Sequence, residues 1–346
     1  MKKAVSLLVG LVIMTSTSAM AADHIMKLAT NLPTDPMATP TGAGFRVFEL
    51  KAEEYTYGKV DVQIFHEGQL GNQMSNLQQT IAGDIQGAES PIGMLANVFP
   101  PMGFGDLPFV FPDSKVASDL FRLDNPFISK LNTQLRETAG IGVLAFFPQG
   151  FRNTSNNVRE IKSVEDLKGL KIRTMQVKPH IAMINATGAG ATPIPWLELY
   201  VSLQTGVVDG QENPFASMKA INLQEVQKYL TKDKHVLLVG TLIYNVEWMN
   251  GLSADVRQAL FKAASEARVA STVMGTLLDD KIEQEFIDSG MQIYTPNEEE
   301  MESFRSVMGA AGREWFVEAN GKEGKKLLDE LQQEIENIQA SYENYK

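Results

Sequence analysis

Apolar and polar residues alternate in the segment "GLKIRTMQV", residues 169–177, in the pattern of a strand with one buried face. Similar short apolar segments predict further strands at residues 25–31, 60–65 and 141–147. Arg173 stands inside the segment 169–177, just before its pattern changes. A guanidinium at that place is either a surface charge or a group that binds an anion.

Helices are predicted between these strands by residues that typically begin and end helices. A helix from about residue 40 to 57 is closed by Gly58, and Asn72 is placed to cap a helix that Gly83 ends. Residues 163–166 form a near capping box, with a serine at the cap and an aspartate three positions later. Strands that alternate with helices predict α/β domains with largely parallel sheets.

Two long helices are predicted towards the C-terminus. Residues 253–289 are helical in pattern almost throughout, about 54 Å of helix, which is long enough to lie across two domains. The last helix carries one apolar stripe that must dock on the rest of the protein. The stripe consists of Leu328, Leu331, Ile335, Ile338 and Tyr342. The sequence has no internal repeat or low-complexity linker, so we expect short strands to join the domains.

The N-terminus has the order of a secretory signal peptide. Lys2 and Lys3 precede an apolar run from Ala4 to Met14, and small residues follow up to Ala21, after which we expect cleavage. A membrane anchor is the alternative, but it needs about 20 continuous apolar residues, and residues 15–18 interrupt the run. We therefore expect an exported, periplasmic protein.

The amino-acid composition limits the class of protein further. The sequence has no cysteine, so disulfides and thiol catalysis are excluded. Roughly 325 residues follow the signal peptide, more than the ~250–300 that one core supports, so two domains are expected. The formal net charge is −11, which suits neither nucleic acid nor an anionic membrane surface but leaves a small anionic ligand open.

The sequence does not contain the common catalytic and metal-binding motifs. Residues 66–70, His-Glu-Gly-Gln-Leu, begin like a zinc helix but lack its second histidine, and the four histidines have no metal-ligand spacing. No dinucleotide loop, phosphate loop or nucleophile elbow is present. An enzyme that uses paired carboxylates stays open, but we expect neither catalysis nor a cofactor nor a metal.

Two arginines could hold an anion. Arg173 is either a strand-end residue paired with a surface acid, which is the more frequent case, or a fork that grips a carboxylate. Its position near the carboxyl end of a strand favours a ligand, because α/β proteins bind ligands there. Arg152 follows the predicted strand 141–147 in a polar segment. By itself it reads as a structural loop arginine, but with Arg173 it makes a two-arginine site.

Three further residues carry both a structural and a functional interpretation. Asn213 precedes Pro214 and reads first as the cap of a helix running to about Tyr229, although its fixed amide would also suit a ligand contact. Trp196 opens a helix after two prolines and is either core or a ligand platform. Glu89 lies in a small, apolar stretch and is either solvated or faces a cleft.

Five motifs in order resemble the solute-binding subunits of tripartite ATP-independent periplasmic (TRAP) transporters. They are "GQLGN" (68–72), "DLPFVF" (106–111), "GFRNTSN" (150–156), "DLKGLKIRT" (166–174) and "LYVSLQTGVVDGQENP" (199–214). Each motif is weak alone, but together, behind a signal peptide, they are specific. The match covers nearly the whole mature chain, and residues 253–289 resemble the family's domain-spanning helix.

The resemblance implies an α/β, two-domain periplasmic-binding-protein-like fold with hinge strands and a long domain-spanning helix. After the signal peptide, residues 1–21, domain I would comprise residues 22–149 and about 239–278. Domain II would comprise residues 150–238 and about 279–346. The domains would close over an organic acid and deliver it to a membrane permease driven by an ion gradient.

The resemblance also implies a set of ligand-binding residues. The family's carboxylate-binding arginine falls on Arg173 and its second pocket arginine on Arg152. The pocket asparagine falls on Asn213, and the aromatic or apolar residue that packs on the ligand falls on Trp196. Two positions of the N-terminal domain complete the set: Glu89 and Asn31.

The positions at which this sequence differs from some members of the family bear on which ligand it binds. Members that bind sialic acid carry an arginine at Ile92 and an acid at Asn72, and residues 237–240 are apolar here. This argues against a polyhydroxylated sugar acid and favours a 2-oxo or hydroxy acid, an aromatic acid or a short dicarboxylate, for which Arg152 is the candidate second cation. We expect a monomer. A ligand-sensing subunit of a membrane signalling protein and, less favoured, an exported enzyme acting on an organic acid remain alternatives.

Overall fold

The structure is a computed structural model and describes residues 22–343, apart from the side chains of Thr276, Asp279 and Asp280. The predicted signal peptide, residues 1–21, lies outside the described residues, so its cleavage stays a prediction. None of the helices between residues 22 and 343 has the length and apolar character needed to cross a membrane.

The described chain contains one mixed sheet of nine strands. The strands are β1 His24–Ala29, β2 Val60–Phe65, β3 Gly87–Pro91, β4 Ile141–Asn156, β5 Lys171–Thr174, β6 Gly190–Pro193, β7 Gly210–Asn213, β8 Tyr229–Asn245 and β9 Gln292–Tyr294. Their order in the sheet is β2-β1-β3-β8-β4-β7-β5-β6, and β9 pairs with β8. The pairs β1–β2, β1–β3, β5–β6 and β5–β7 are parallel, as the strand–helix pattern predicts.

Helices cover this sheet. They are α1 Pro40–Tyr55, α2 Gln73–Ala82, α3 Ile92–Leu95, α4 Ser114–Leu120, α5 Pro126–Ala139, α6 Lys178–Ala186, α7 Leu199–Gln204, α8 Phe215–Ala220, α9 Val246–Gly251, α10 Ala254–Asp288, α11 Glu298–Phe304, α12 Ala310–Asn320 and α13 Gly324–Glu343. A π-helix, Arg305–Gly309, joins α11 to α12, and short 3-10 helices include Pro100–Asp106, Val164–Leu167 and Trp196–Glu198.

Strands β4 and β8 connect the two halves of the molecule. They run antiparallel along most of their length, with three register shifts in β4. The C-terminal end of β8 pairs with β3, and the C-terminal end of β4 pairs with β7. Each long strand therefore belongs to the sheet of both halves, which confirms the expected two-domain fold with hinge strands.

Helix α10 lies along both halves. It has 35 residues and contacts α1 and β4 in the first half and α8 in the second. Gly44 lets α1 approach it closely, since a Cβ there would lie 3.1 Å from the carbonyl oxygen of Ala267. The predicted long helix is confirmed, with Ser253 at its N-cap.

Several predicted boundaries are confirmed by the local contacts that motivated them. The side chain of Asn72 accepts a hydrogen bond of 2.9 Å from the backbone of Ser75 at the start of α2. Gly83 ends that helix with a φ of +83°. The capping box between Ser163 and Asp166 is formed, although the helix that follows is a single 3-10 turn.

Two predictions around the long strands are wrong. The strand predicted at 141–147 continues to Asn156, because register shifts let the ladder pass Pro148 and Gly150. The helix predicted from Asn213 to Tyr229 ends at Ala220. The backbone then turns at Asn222, which has a φ of +54°, and β8 begins at Tyr229.

The last helix docks through its predicted stripe. Leu331 and Ile335 are buried, and Leu328, Ile338 and Tyr342 are partly buried against the core that includes Phe104. Helix α13 contacts α4, α5 and α12. The stripe is therefore confirmed. The helix packs on elements of the first half, although the sequence analysis assigns it to domain II, and the domain boundaries stay predictions.

We expect Leu331→Ala to lower the free energy of unfolding by about 2–5 kcal/mol, because it leaves a cavity where a side chain that is 1% exposed packs. Urea denaturation at a constant m-value measures the change. The control is Val273→Ala on α10, where the side chain is 55% exposed and the change should stay within about 0.5 kcal/mol. Equal effects of the two substitutions would contradict the docking described above.

Candidate functional site

A cavity of about 510 Å³, open space towards solvent included, lies between the two halves. Both halves supply its walls, and all six residues predicted for ligand binding line it. The lining comprises Asn31, Leu32, Pro33, Thr39, Gln73, Glu89, Pro91, Gln149, Arg152, Arg173, Met175, Trp196, Asn213, Ser217, Ala220 and Leu238. Asn31 and Asn213, which are 182 positions apart in the sequence, therefore meet at one site.

Arg173 lies on β5 and is 1% exposed, so it is not the surface ion-pair residue that the more frequent interpretation expects. Its Nε donates a hydrogen bond of 2.9 Å to the carbonyl oxygen of Ile194. Its Nη1 is buried and has no partner among the described residues. Burial first, and the charge of Arg152 second, lower the pKa of Arg173 to about 9. An anion in the cavity would relieve both effects.

Arg152 is also buried, but it has a fixed partner. The residue lies inside β4 and not in a loop, so the prediction of a loop arginine is wrong. Its Nε and Nη2 bond to the carboxylate of Glu212 on β7, and Nη2 bonds to the backbone carbonyl of Glu212 as well. Within the described chain its Nη1 is left without a partner. One edge of the guanidinium is thus held by protein and another is available to a ligand.

Glu212 is the centre of a buried network of charged groups. Besides Arg152, its carboxylate contacts Nδ1 of His180 and Nε2 of His235, each at 3.1 Å. Nε2 of His180 lies 3.0 Å from the carboxylate of Asp106, and Nδ1 of His235 lies 3.0 Å from that of Asp233. Three basic groups therefore alternate with three carboxylates, and all of them are shielded from solvent.

The protonation of this network follows from its contacts. Burial raises the pKa of Glu212, but Arg152 and then His180 outweigh burial and hold it well below its usual range. Burial lowers the pKa of His235, but Asp233 and Glu212 raise it to about 9. The pKa of His180 is raised too, by Glu212 and Asp106 against burial. His235 is therefore charged at neutral pH, and both histidines favour the ionised form of Glu212 opposite Arg152.

The sequence pattern does not predict this network. The spacing of His180 and His235 is not that of metal ligands, and no cluster of His, Cys, Asp or Glu in the described residues could hold a metal ion. Glu212 lies in the motif that carries Asn213, and nothing in its neighbours along the chain distinguishes it. The only signal in the sequence is an ionisable residue at the polar end of a strand. Such a position does not show whether the charge is buried or solvated.

Asn213 and Trp196 lie on the wall formed by the second half. The Nδ2 of Asn213 donates a hydrogen bond of 2.6 Å to Oε1 of Gln211, and its side chain does not cap α8. The partly exposed Trp196 opens a 3-10 helix. Its ring centroid lies 6.0 Å from the guanidinium carbon of Arg173, within reach of a cation–π contact. The aromatic ring therefore flanks the charged end of the cavity.

Glu89 and Asn31 lie on the wall formed by the first half. Glu89 is 2% exposed, on β3, and its Oε2 has no partner in the described chain. Burial raises the pKa of Glu89 to about 7, against hydrogen bonds from the side chain of Gln73 and the backbone of Asn31. The Nδ2 of Asn31 donates to the carbonyl oxygen of Gly71 at 3.1 Å, and its Oδ1 is unpartnered.

The two halves also touch beside this cavity. Gly68 has a φ of +73°, and a Cβ there would lie 2.5 Å from Cδ1 of Leu197 and 2.9 Å from Nδ2 of Asn31. Of the positions that differ from sialic acid-binding members, Ile92 is in the core and Asn72 caps α2, so neither lines the cavity. Leu238 does line it and makes part of the wall apolar.

The fold and the cavity define a class of protein. Two α/β halves are joined by shared strands, and a cavity between them is lined by buried arginines. This is the architecture of a solute-binding protein that encloses a small ligand. The chain belongs to the bacterial extracellular solute-binding protein family 7, whose model matches residues 34–319.

Known relatives agree with this assignment. The chain is 33% identical over 280 residues to the C4-dicarboxylate-binding periplasmic protein DctP of Rhodobacter capsulatus, covering 80% of this chain and 81% of DctP. It is 30% identical over 282 residues to the 2,3-diketo-L-gulonate-binding periplasmic protein YiaO of Escherichia coli K12, covering 81% and 84%. A TRAP periplasmic solute-binding protein from Desulfovibrio salexigens, solved with orotic acid, superposes with a TM-score of 0.85 at 25% identity, covering 91% and 99%.

We expect Glu212→Gln to lower the free energy of unfolding by about 3–5 kcal/mol, because Arg152 and two histidines would lose the carboxylate that compensates their buried charge. Urea denaturation at pH 7 measures the change. The exposed Glu318 on α12 provides the matched control, Glu318→Gln, which should shift stability by less than about 0.5 kcal/mol. A loss below about 1 kcal/mol in Glu212→Gln would contradict the network.

We expect Glu89→Gln to gain stability relative to the wild type as pH rises from 5 to 8. The pKa of Glu89, about 7 in the folded protein, lies above its ordinary value of 4.5. The wild type therefore loses stability as pH rises through 7, by up to about 3 kcal/mol. Melting temperatures of the two proteins at pH 5, 6, 7 and 8 measure the difference. A difference that does not change with pH would show that Glu89 ionises as freely in the folded protein as in the unfolded chain.

Proposed function

We propose that the protein captures a small organic acid by its carboxylate in the cavity between its halves and delivers it to a TRAP membrane permease. The observation that carries this proposal is the pair of buried arginine nitrogens, Nη1 of Arg152 and Nη1 of Arg173, which have no partner in the described chain although both residues line one cavity. Buried donors of this kind are normally satisfied, and a carboxylate supplies the matching acceptors.

The energetics favour an anion at this place. Two unit charges about 4 Å apart attract each other by about 4 kcal/mol at an effective dielectric constant of ~20. Desolvation of the ligand cancels part of this gain, so the remaining donors must be satisfied as well. In the proposed complex, Arg173 holds the carboxylate beside the ring of Trp196, while Arg152 and Asn213 donate further hydrogen bonds.

Closure of the halves follows from the distribution of the lining residues. Arg152, Arg173, Trp196 and Asn213 belong to one half, whereas Asn31 and Glu89 belong to the other, so a bound acid would contact both. A ligand that binds the closed state better shifts the protein towards it. We assign residues 22–149 and about 239–278 to one moving domain, together with α13, which packs on α4 and α5. Residues 150–238 and about 279–320 form the other, with β4 and β8 as hinge strands.

The comparisons support an organic acid as the class of ligand. The three relatives described above bind, or were solved with, a C4-dicarboxylate, 2,3-diketo-L-gulonate and orotic acid, and each of these compounds carries a carboxylate. By the same analogy the protein would act after export to the periplasm, as a monomer, without catalysis and without a cofactor. Neither alternative, a sensing subunit or an exported enzyme, is favoured by a specific feature of the described residues.

Thermal unfolding of the mature protein against a panel of carboxylic acids tests the proposal. An acid present at about 100 times its dissociation constant should stabilise the protein by ~2.7 kcal/mol, a shift of several degrees. Mass spectrometry of the denatured protein should identify any acid that co-purifies. If no acid shifts unfolding and none is released on denaturation, the proposal of carboxylate binding is wrong.

We expect Arg173→Lys to bind the best acid of that panel at least about tenfold more weakly than the wild type, although the positive charge is kept. A lysine ammonium is a point charge and cannot form the two parallel hydrogen bonds of a guanidinium. Isothermal titration calorimetry measures both dissociation constants. The exposed Arg313 supplies the control, Arg313→Lys, which should bind like the wild type. Wild-type affinity in Arg173→Lys would contradict a two-bond grip on the carboxylate.

A further inference from the structure

The cations of the cavity are confined to one end. Among the described residues that line it, Arg152 and Arg173 are the two cations, and Glu89 is the one acid. Both arginines belong to the same half and line the same cavity, and β7 pairs with the strands of both, β4 and β5. Arg152 is already bonded to Glu212 through Nε and Nη2. This end therefore offers two free nitrogens and little more than one uncompensated charge, which is suited to a single carboxylate.

The wall of the first half offers the opposite chemistry. The two buried atoms there without a partner in the described chain are Oδ1 of Asn31 and Oε2 of Glu89. The amide oxygen accepts hydrogen bonds, and so does the carboxylate of Glu89 once it is ionised, above its pKa of about 7. The bond from Nδ2 of Asn31 to the carbonyl oxygen of Gly71 fixes which side of that amide is free. A ligand that fills the cavity must therefore bring donors to this wall, because buried acceptors without a donor are destabilising.

We propose, building on carboxylate binding by the two arginines, that the cavity selects monocarboxylates whose far end donates hydrogen bonds, and that it rejects dicarboxylates. The donor at the far end is a hydroxyl or an ammonium group. Its partners are Oε2 of Glu89 and Oδ1 of Asn31. These two residues thus determine specificity, while the arginines provide the carboxylate grip common to all ligands.

A dicarboxylate does not match this arrangement. Its second carboxylate would bring hydrogen-bond acceptors to a wall whose unpartnered atoms are also acceptors. It would also bring a negative charge close to Glu89, the one acid of that wall. No third cation lines the cavity in the described residues to compensate it. Arg152, which the sequence analysis names as the candidate second cation, is committed to Glu212 and lies at the same end as Arg173. Like charges and unpaired acceptors would both weaken binding.

Matched acids that differ in one terminal group test this specificity. There is one set for each chain length of four, five and six carbons. Each set contains the alkanoate, the ω-hydroxy acid, the ω-amino acid and the dicarboxylate. The four-carbon set consists of butyrate, 4-hydroxybutyrate, 4-aminobutyrate and succinate. Calorimetry at pH 8 gives each dissociation constant with the wild type and with Arg173→Ala. We expect the hydroxy or the amino acid of the best set to bind at least about tenfold more tightly than its alkanoate and its dicarboxylate.

The outcomes separate this proposal from the function on which it rests. Tighter binding of the hydroxy acid identifies a hydroxyl as the donor, and tighter binding of the amino acid identifies an ammonium. A dicarboxylate that binds best, or four equal affinities, would overturn the proposed selectivity, while loss of all binding in Arg173→Ala would still support the carboxylate grip. If no acid of any set binds, carboxylate capture itself fails, and the selectivity fails with it.

Substitution of Glu89 tests the cause of the selectivity. Glu89→Gln removes the charge and adds a donor, so the dicarboxylate of the best set should gain at least about tenfold in affinity relative to the hydroxy or amino acid. The control is Glu198→Gln, which removes an equal charge from an exposed residue close to Trp196 and should leave the ranking unchanged. An equal gain in both variants would overturn the assignment to Glu89. The wild-type ranking needs no variant, so the proposal is testable even if Glu89→Gln does not fold.

Discussion

The buried bond between Arg152 and Glu212 is the interaction on which the site depends. A guanidinium and a carboxylate cannot be taken out of water unless each finds a partner of good geometry. Glu212 would be a poor partner if it became protonated, and His180 and His235 prevent this by presenting positive charge to its other lone pairs. Asp106 and Asp233 in turn raise the pKa values of His180 and His235.

This requirement links parts of the chain that are otherwise distant. Arg152 lies on β4, Glu212 on the adjacent β7, and His235 on β8, so the pairing of three strands is a condition for the network. His180 joins it from α6, and Asp106 joins it from the first half of the chain. The position of the free Nη1 of Arg152 is therefore set by the whole arrangement. In the proposed complex a ligand would find this nitrogen already oriented, and the entropic cost of binding would be smaller.

The two halves contribute unlike chemistry to the cavity. The half that contains β5 and β7 supplies donors and positive charge, whereas the half that contains β1 and β3 supplies free acceptors. A ligand of the proposed kind, with an anionic end and a donating end, would satisfy the buried groups of both halves at once and would thereby stabilise the closed state. The long strands β4 and β8 are continuous through both halves, so in the proposed closure they would serve as the hinge.

The sequence by itself determined the class of fold, the long helix α10, the docking stripe of α13 and the caps at Asn72 and Ser163, because these follow from local periodicity and local hydrogen bonds. With the resemblance to a family it also indicated the six residues that line the cavity. Only the tertiary structure decided that Arg152 lies within a strand, that Asn213 does not cap a helix and that Glu212 binds two charged histidines. Strand continuation past Pro148 and the burial of charged groups depend on partners far away in the chain. Periodicity does not record such partners, so the contacts that prepare the site became visible only in the folded protein.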